Sequence, residues 1–186
     1  SGGSGQSGAG GTGAGGKSGA NPSPIWSFTT GKNGDNTGAI DPSTLVTSDD
    51  RVYVASYAYP VRVTALDGGG AEIFSTDIAD AAGVEPNSPT VAAALAVAHD
   101  DTLVVVLRNY GKVVRLDAQG KVRWTASNPS SFSGLGGFSA PAIAKDGTVY
   151  VTQSYGASSN NSLPKLLAIA PNGDVKFIFV TTNAER

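Results

Sequence analysis

KVVRLDAQGKVRW, residues Lys112–Trp124, reads as strand, tight turn, strand. An apolar run ends in Leu116-Asp117, the turn Ala118-Gln119-Gly120 follows, and a second strand carries Trp124 four residues past the glycine. Gly120 takes the positive φ that a short bulged hairpin demands, a conformation that a side chain disfavours. The same order recurs at Val63–Phe74 (VTALDGGGAEIF) and at Leu166–Phe177 (LLAIAPNGDVKF).

Working outward, a set of landmarks keeps one order along the chain. The aromatic positions Trp26, Phe74, Trp124 and Phe177 are 48, 50 and 53 residues apart, and the turn glycines Gly70, Gly120 and Gly173 each precede an aromatic by four. Pro42, Pro89 and Pro141 open the three units, and a β-branched run follows each: Arg51–Ser56, Thr102–Leu107 and Thr148–Gln153. An acidic or glycine turn stands before each run, at Asp49-Asp50, Asp100-Asp101 and Asp146-Gly147. Self-similarity at such a period marks a repeat architecture.

The middle unit predicts four strands. Thr90–Ala98 is rich in alanine, which suits an innermost strand crowded by its neighbours. Thr102–Leu107 is apolar nearly throughout, as a strand covered on both faces requires. Lys112–Leu116 and Lys121–Thr125 form the outer hairpin. Four antiparallel strands in about 50 residues, repeated, describe β-propeller blades. The fold class is therefore all-β, with units at about 42–77, 89–126 and 141–181 and an orphan outer strand at 25–30.

These residues resemble a known family. Units of the type VYV…ALD…G…W are similar to the pyrroloquinoline-quinone-type (PQQ-type) β-propeller repeat. That repeat is shared by quinoprotein dehydrogenases and by non-catalytic relatives such as the outer-membrane assembly lipoprotein of the BamB kind. The resemblance rests on Tyr53, Ala65-Leu66-Asp67 and Phe74, on Leu116-Asp117, Gly120 and Trp124, and on Tyr150, Ala168-Ile169, Gly173 and Phe177. It covers residues 25–186 and implies that the aromatic of each unit packs between adjacent blades. Phe replaces the docking Trp in two units, and Ala170 replaces Asp in the third, so the blades are divergent.

Propellers close with roughly four to eight blades. Three units and one orphan strand fall short, so the expectation is an N-terminal portion of a longer chain continuing past Arg186. The absence of methionine, at position 1 as elsewhere, agrees with a processed or excised segment. Left alone, such a piece would expose an unpaired edge at each end.

Ten of the 25 glycines fall within the first twenty residues, and residues 1–24 read as a flexible Gly/Ser-rich linker. Gly11–Ser18 (GTGAGGKS) satisfies the phosphate-loop pattern, and Gly11, Gly13 and Gly16 satisfy G-x-G-x-x-G. Both motifs need a buried strand before and a helix after, which the flanking sequence does not offer, so both are read as products of composition. A Gly/Ser tether before an all-β domain also looks like the spacer after the lipidated cysteine of bacterial surface lipoproteins. That resemblance implies an extracytoplasmic protein of the cell envelope, its lipid anchor lying outside this sequence.

The rest of the composition narrows the chemistry. Thirteen Lys+Arg against 15 Asp+Glu, with no basic cluster, argues against nucleic acid. The absence of cysteine removes disulfides, thiolate zinc sites and cysteine nucleophiles. His99, the only histidine, has no second His or Cys to join it as a metal ligand and reads as a turn residue. Asn33–Gly38 resembles the opening of a calcium loop, but Thr44 stands where the bidentate glutamate belongs, and Asp41 would serve only in a different loop. Asp49-Asp50 and Asp100-Asp101 occupy equivalent turns of two units, which marks a structural signal. No catalytic, cofactor-binding or metal residue is therefore assigned.

The long inserts, 57–60, 77–86, 128–138 and 155–164, offer Tyr57, Tyr59, Phe132, Phe138 and Tyr155 as a candidate binding surface. The first functional expectation is a non-catalytic scaffold that binds a protein or carbohydrate partner through such loops. The alternative is a fragment of a PQQ-dependent quinoprotein dehydrogenase, whose calcium-quinone site would lie in further blades. The family's enzymes use Glu, Asn and Asp for calcium, whereas Glu72, Glu85 and Glu185 are scattered here. A self-associating structural domain, suggested by the open edges, is a third.

Overall fold

The computed structural model describes residues 26–27, 45–46, 49–56, 61–83, 93–127, 138–153 and 165–180. Among them are three four-stranded antiparallel sheets. Blade 1 holds β1 (Leu45–Val46), β2 (Val52–Ala55), β3 (Arg62–Leu66) and β4 (Glu72–Asp77), paired in that order. Blade 2 holds β5 (Ala93–Val97), β6 (Leu103–Leu107), β7 (Lys112–Leu116) and β8 (Val122–Ser127). Blade 3 holds β9 (Ala142–Ile143), β10 (Val149–Gln153), β11 (Lys165–Ile169) and β12 (Val175–Val180). The innermost strands β1, β5 and β9 lie side by side, so the sheets fan out from one line as propeller blades do.

Period-two alternation sends the apolar residues of blade 2 to both sides. Leu103, Val105 and Leu107 join Tyr53, Ala55, Val63 and Ala65 in the core between blades 1 and 2. Val104, Val106 and Val113 join Val149, Val151, Leu167 and Ile169 between blades 2 and 3. A strand with a packed sheet on each face has no use for a polar residue, and all five residues of β6 are buried.

The outer hairpins share one geometry. Each turn closes with two backbone hydrogen bonds, Asp117 N to Lys121 O (2.9 Å) and Gly120 N to Asp117 O (3.0 Å) in blade 2. A register shift falls at Ala65/Leu66, Arg115/Leu116 and Ala168/Ile169. Asp67 and Asp117 each also accept two turn N–H groups on Oδ1. Ala170 cannot do this, and in blade 3 Asn172 Oδ1 accepts from Asp174 N instead, while Nδ2 donates to Asp174. The backbone turn is kept although its side-chain support has moved two residues along.

Two local features differ from the strand-and-loop expectation. The segment after β4 contains a single helical turn, α1 (Ile78–Ala81), capped by the Asp77 carboxylate, which accepts from Ala79 N at 3.0 Å. Ile78 and Ala79 are fully buried there, and four residues are too few to show a helical period in sequence. Trp26 and Ser27 belong to no strand, and the rest of 25–30 lies outside the described residues.

Candidate functional site

Antiparallel pairing sorts the connections into two ends. The links β3–β4, β5–β6, β7–β8, β9–β10 and β11–β12 are tight turns at one end, where paired β1 and β2 also lead into each other. The links β2–β3, β6–β7 and β10–β11, together with the crossings between blades, join strand ends at the other. The described strand ends that flank all four inserts singled out in the sequence lie at that second end, the loop end.

The turn end is where blade meets blade. A Cβ on Gly70 would stand 2.7 Å from Cδ2 of Trp26, one on Gly120 would stand 2.6 Å from Cγ of Phe74, and one on Gly173 would stand 2.9 Å from Cγ of Trp124. Each aromatic thus lies against the turn glycine of the following hairpin, 44 to 49 residues on. The glycines have φ of 85°, 80° and 96°, so both backbone and space require their type.

Each turn also offers the carbonyl just after its first residue. Trp26 Nε1 donates to Gly68 O (3.2 Å), and Trp124 Nε1 donates to Pro171 O (2.8 Å). Phe74 has no N–H to give, and the equivalent Ala118 O takes its hydrogen bond from Arg51 Nη1 (3.4 Å). Thr76 adds a bond to Gly120 O (2.7 Å). Hydrogen bonding to Tyr53, ahead of an opposing desolvation, raises the pKa of Arg51 above its ordinary value, and Asp49 pairs with it at 2.9 Å.

Arg115 binds blades 2 and 3. It is 2 % exposed, buried beside Val113, Val114 and Leu116 of the same strand. Its Nε donates to Thr102 Oγ1 (2.8 Å), Nη2 to Asp100 (3.0 Å), and Nη1 crosses to Gly147 O (3.3 Å) and Pro171 O (3.5 Å) of blade 3. Desolvation pushes the Asp100 carboxyl up, but hydrogen bonds from Thr102 and Arg115 and the Arg115 charge outweigh it, leaving the pKa below its ordinary value. Asp146 is likewise lowered, by Thr148 N–H first, then by its hydroxyl and Lys176. The sequence signal for Arg115 was present: a cation at the register position that Ala65 and Ala168 hold in the other blades.

The acidic pairs have a division of labour. The first residue, Asp100 or Asp146, caps the N–H and hydroxyl of the threonine two residues on. The second position adopts a left-handed conformation, with φ of 60° at Asp50, 58° at Asp101 and 80° at Gly147. His99 is an exposed turn residue beside the second of these.

Of the proposed loop surface, Tyr57, Tyr59, Phe132 and Tyr155 lie outside the described residues, as do the glycine-rich motifs and Asn33–Gly38. Phe138 corrects the expectation. It is 2 % exposed in the core between blades 2 and 3, because its N–H bonds Arg108 O (3.2 Å) and its carbonyl accepts from Arg108 Nε (2.9 Å). Phe177 contacts Tyr150 as Phe74 contacts Tyr53, but it is 46 % exposed and has no turn glycine against it among the described residues. Among the described residues no group of three His, Cys, Asp or Glu could hold a metal. Both tryptophans lie on glycine turns.

The comparisons with known proteins follow from this geometry. The chain is similar in structure to a streptogramin B lyase, with TM-score 0.59 and 13 % identity over 81 % of this chain and 43 % of that one. It is also similar to a protein from Lactobacillus plantarum, with TM-score 0.51 and 16 % identity over 75 % of this chain and 40 % of that one. The chain thus spans about two fifths of the length of these structures, and at such identities the likeness speaks for the fold alone. No curated protein matches in sequence. The family model described as outer membrane protein assembly factor BamB matches residues 19–173, and with its three glycine-turn blades the chain belongs to that family of PQQ-like β-propeller repeat proteins.

Proposed function

We propose that this chain is part of a non-catalytic propeller that binds a protein partner in the bacterial cell envelope, through the loop end of its blades. The carrying observation is the division of the two ends. Among the described residues, the three carboxyl and guanidinium groups with displaced pKa values, Arg51, Asp100 and Asp146, all sit at the turn end, engaged in turn or blade-to-blade hydrogen bonds. The long connections leave from the opposite end, and loops held by a rigid scaffold are where such folds bind. The family is named for outer membrane protein assembly, which favours a protein partner and an extracytoplasmic setting. Residues 1–24 would serve as the tether between this scaffold and a membrane anchor.

The test is site-specific photocrosslinking in cells. p-Benzoylphenylalanine at Tyr57, Tyr59, Phe132 or Tyr155 is expected to give adducts with an envelope protein, whereas the same residue at Gln119 or Asn172 at the turn end gives none. Adducts confined to the turn end would overturn the assignment. Calcium-dependent binding of pyrroloquinoline quinone to the natural protein would instead favour the dehydrogenase.

A further inference from the structure

The fold gathers cations that the sequence keeps apart. Arg62, Lys112 and Lys165 each stand eight residues before a turn glycine and open the third strand of their blade at the loop end. Arg108 begins the single helical turn, Arg108–Tyr110, that leads from β6 to Lys112. In blades 2 and 3 these positions are linked neighbour to neighbour. Leu107 is the register partner of Lys112, and Gln153 is that of Lys165. Phe138 bridges to Gln153, and its carbonyl accepts from Arg108 Nε while its N–H donates to Arg108 O. Arg108 and Lys165 are thus three strand spacings apart, on the order of 15 Å, across the boundary between the two blades.

Nothing acidic accompanies them. The inserts 128–138 and 155–164 contain no charged residue. Among the described residues every carboxylate except Asp77 and Asp80 lies at the turn end, and those two belong to the crossing that leaves blade 1. The ion pairs among the described residues, made by Arg51, Arg115, Arg123 and Lys176, are also at the turn end. Arg108 is exposed, and its side-chain bond to a described residue is the one from Nε to a neutral carbonyl. Lys112 Nζ likewise donates to a neutral group, Ser127 Oγ (2.6 Å).

We propose that this patch binds an acidic segment of a protein partner, whose carboxylates meet Arg108, Lys112 and Lys165. The inference rests on the loop-end binding proposed above and adds the chemistry of the partner. Because Arg108 is held through Nε, its Nη1–Nη2 edge is left to grip a carboxylate with two parallel hydrogen bonds. Spacing selects the occupant. An extended segment of about five residues covers 15 Å, whereas a free phosphate would meet one cation at a time. An anionic membrane surface is held by clusters of roughly four to eight cations, more than this patch supplies.

The test uses the natural protein and a fluorescein-labelled oligoglutamate, read by fluorescence anisotropy at low ionic strength, with oligoglutamine of equal length as the neutral probe. Oligoglutamate is expected to bind and oligoglutamine not. Lys112→Gln/Lys165→Gln should weaken binding about tenfold, whereas Lys112→Arg/Lys165→Arg should retain it. Arg108 is left in place because its Nε holds Phe138. Lys121→Gln/Lys145→Gln removes the same charge at the turn end and should leave binding unchanged. Failure of oligoglutamate to bind, or equal weakening by the turn-end pair, would overturn the proposal. Loss of binding to phosphatidylglycerol vesicles instead of oligoglutamate in Lys112→Gln/Lys165→Gln would make the patch a lipid site and overturn it as well. The two readings fail separately. Loop-end adducts without oligoglutamate binding would strike the acidic partner alone, and patch-dependent oligoglutamate binding without any adduct would uphold the patch and strike the envelope partner.

Discussion

Phe74 lies so close over Gly120 that a Cβ there would stand 2.6 Å from the ring's Cγ, and the two residues belong to different blades. The glycine is needed twice, for its φ of 80° and for the space the ring fills. A substitution pays both penalties at once, and they can be separated.

Gly120→Ala is expected to cost about 3 kcal/mol, from a left-handed backbone penalty of about 1–2 kcal/mol and overpacking of about 1–3 kcal/mol. Gly83 supplies the control, because its φ is 62° but nothing lies within 4 Å of its missing Cβ. Gly83→Ala should therefore cost only the backbone part, about 1 kcal/mol. Urea melts of the two variants measure the difference. Equal losses would mean that Phe74 does not press on the turn.

Trp124 permits a finer division, because its ring covers Gly173 and its N–H satisfies Pro171 O. Trp124→Phe keeps a ring and loses one hydrogen bond, and Pro171 O retains Arg115 at 3.5 Å, so the loss should be about 1 kcal/mol. Trp124→Ala uncovers the turn and should cost about 3 kcal/mol. Blade 1 shows the phenylalanine solution to be workable, but there Arg51 supplies the missing donor. If the two variants lose the same amount in urea melts, the indole's area contributes nothing.

The strand order, the three hairpins and the glycine at each turn were legible in the sequence, because period-two alternation and positive φ impose residue types directly. Arg115 stood out only as a cation at an alanine position, and neither its burial nor that of Phe138 was legible. A buried arginine is tolerated only where acceptors converge, and Gly147 O and Pro171 O come from two turns of blade 3, more than thirty residues away. Phe138 sits in a glycine-rich insert that reads as loop, yet its backbone is tied to Arg108 of the preceding blade. The loop surface stays an expectation for a related reason: inserts of Gly, Ser and Asn carry no periodicity from which position could be read.

Asp101 occupies a left-handed position, φ 58°, that Gly147 fills in blade 3. Aspartate tolerates this conformation better than most residues but still disfavours it, whereas glycine does not. Asp101→Gly should therefore stabilise by about 0.5 kcal/mol, the relief exceeding the added entropy of the unfolded glycine. A rise in the urea midpoint would show it. A fall would mean that the Asp101 carboxylate makes a contribution larger than the strain.

Asp100 makes the stability of the blade 2–3 contact depend on pH. Its folded pKa is depressed, so the unfolded chain binds the proton more tightly and stability rises with pH through that range. The contribution is complete above the ordinary carboxylate value of 3.8 and is lost as pH falls through the folded value. Below it, the buried Arg115 cation keeps only neutral acceptors, Thr102 Oγ1, Gly147 O and Pro171 O. Since the Asp100 side chain is half exposed, solvent screening reduces the effect to on the order of 1 kcal/mol. Asp100→Asn should thus be less stable than the parent by about that amount at pH 7, with the gap closing as both are titrated from about pH 5 to pH 2. A gap that persists unchanged at pH 2 would show that the carboxylate acts through its shape, and that its charge on Arg115 is of no consequence.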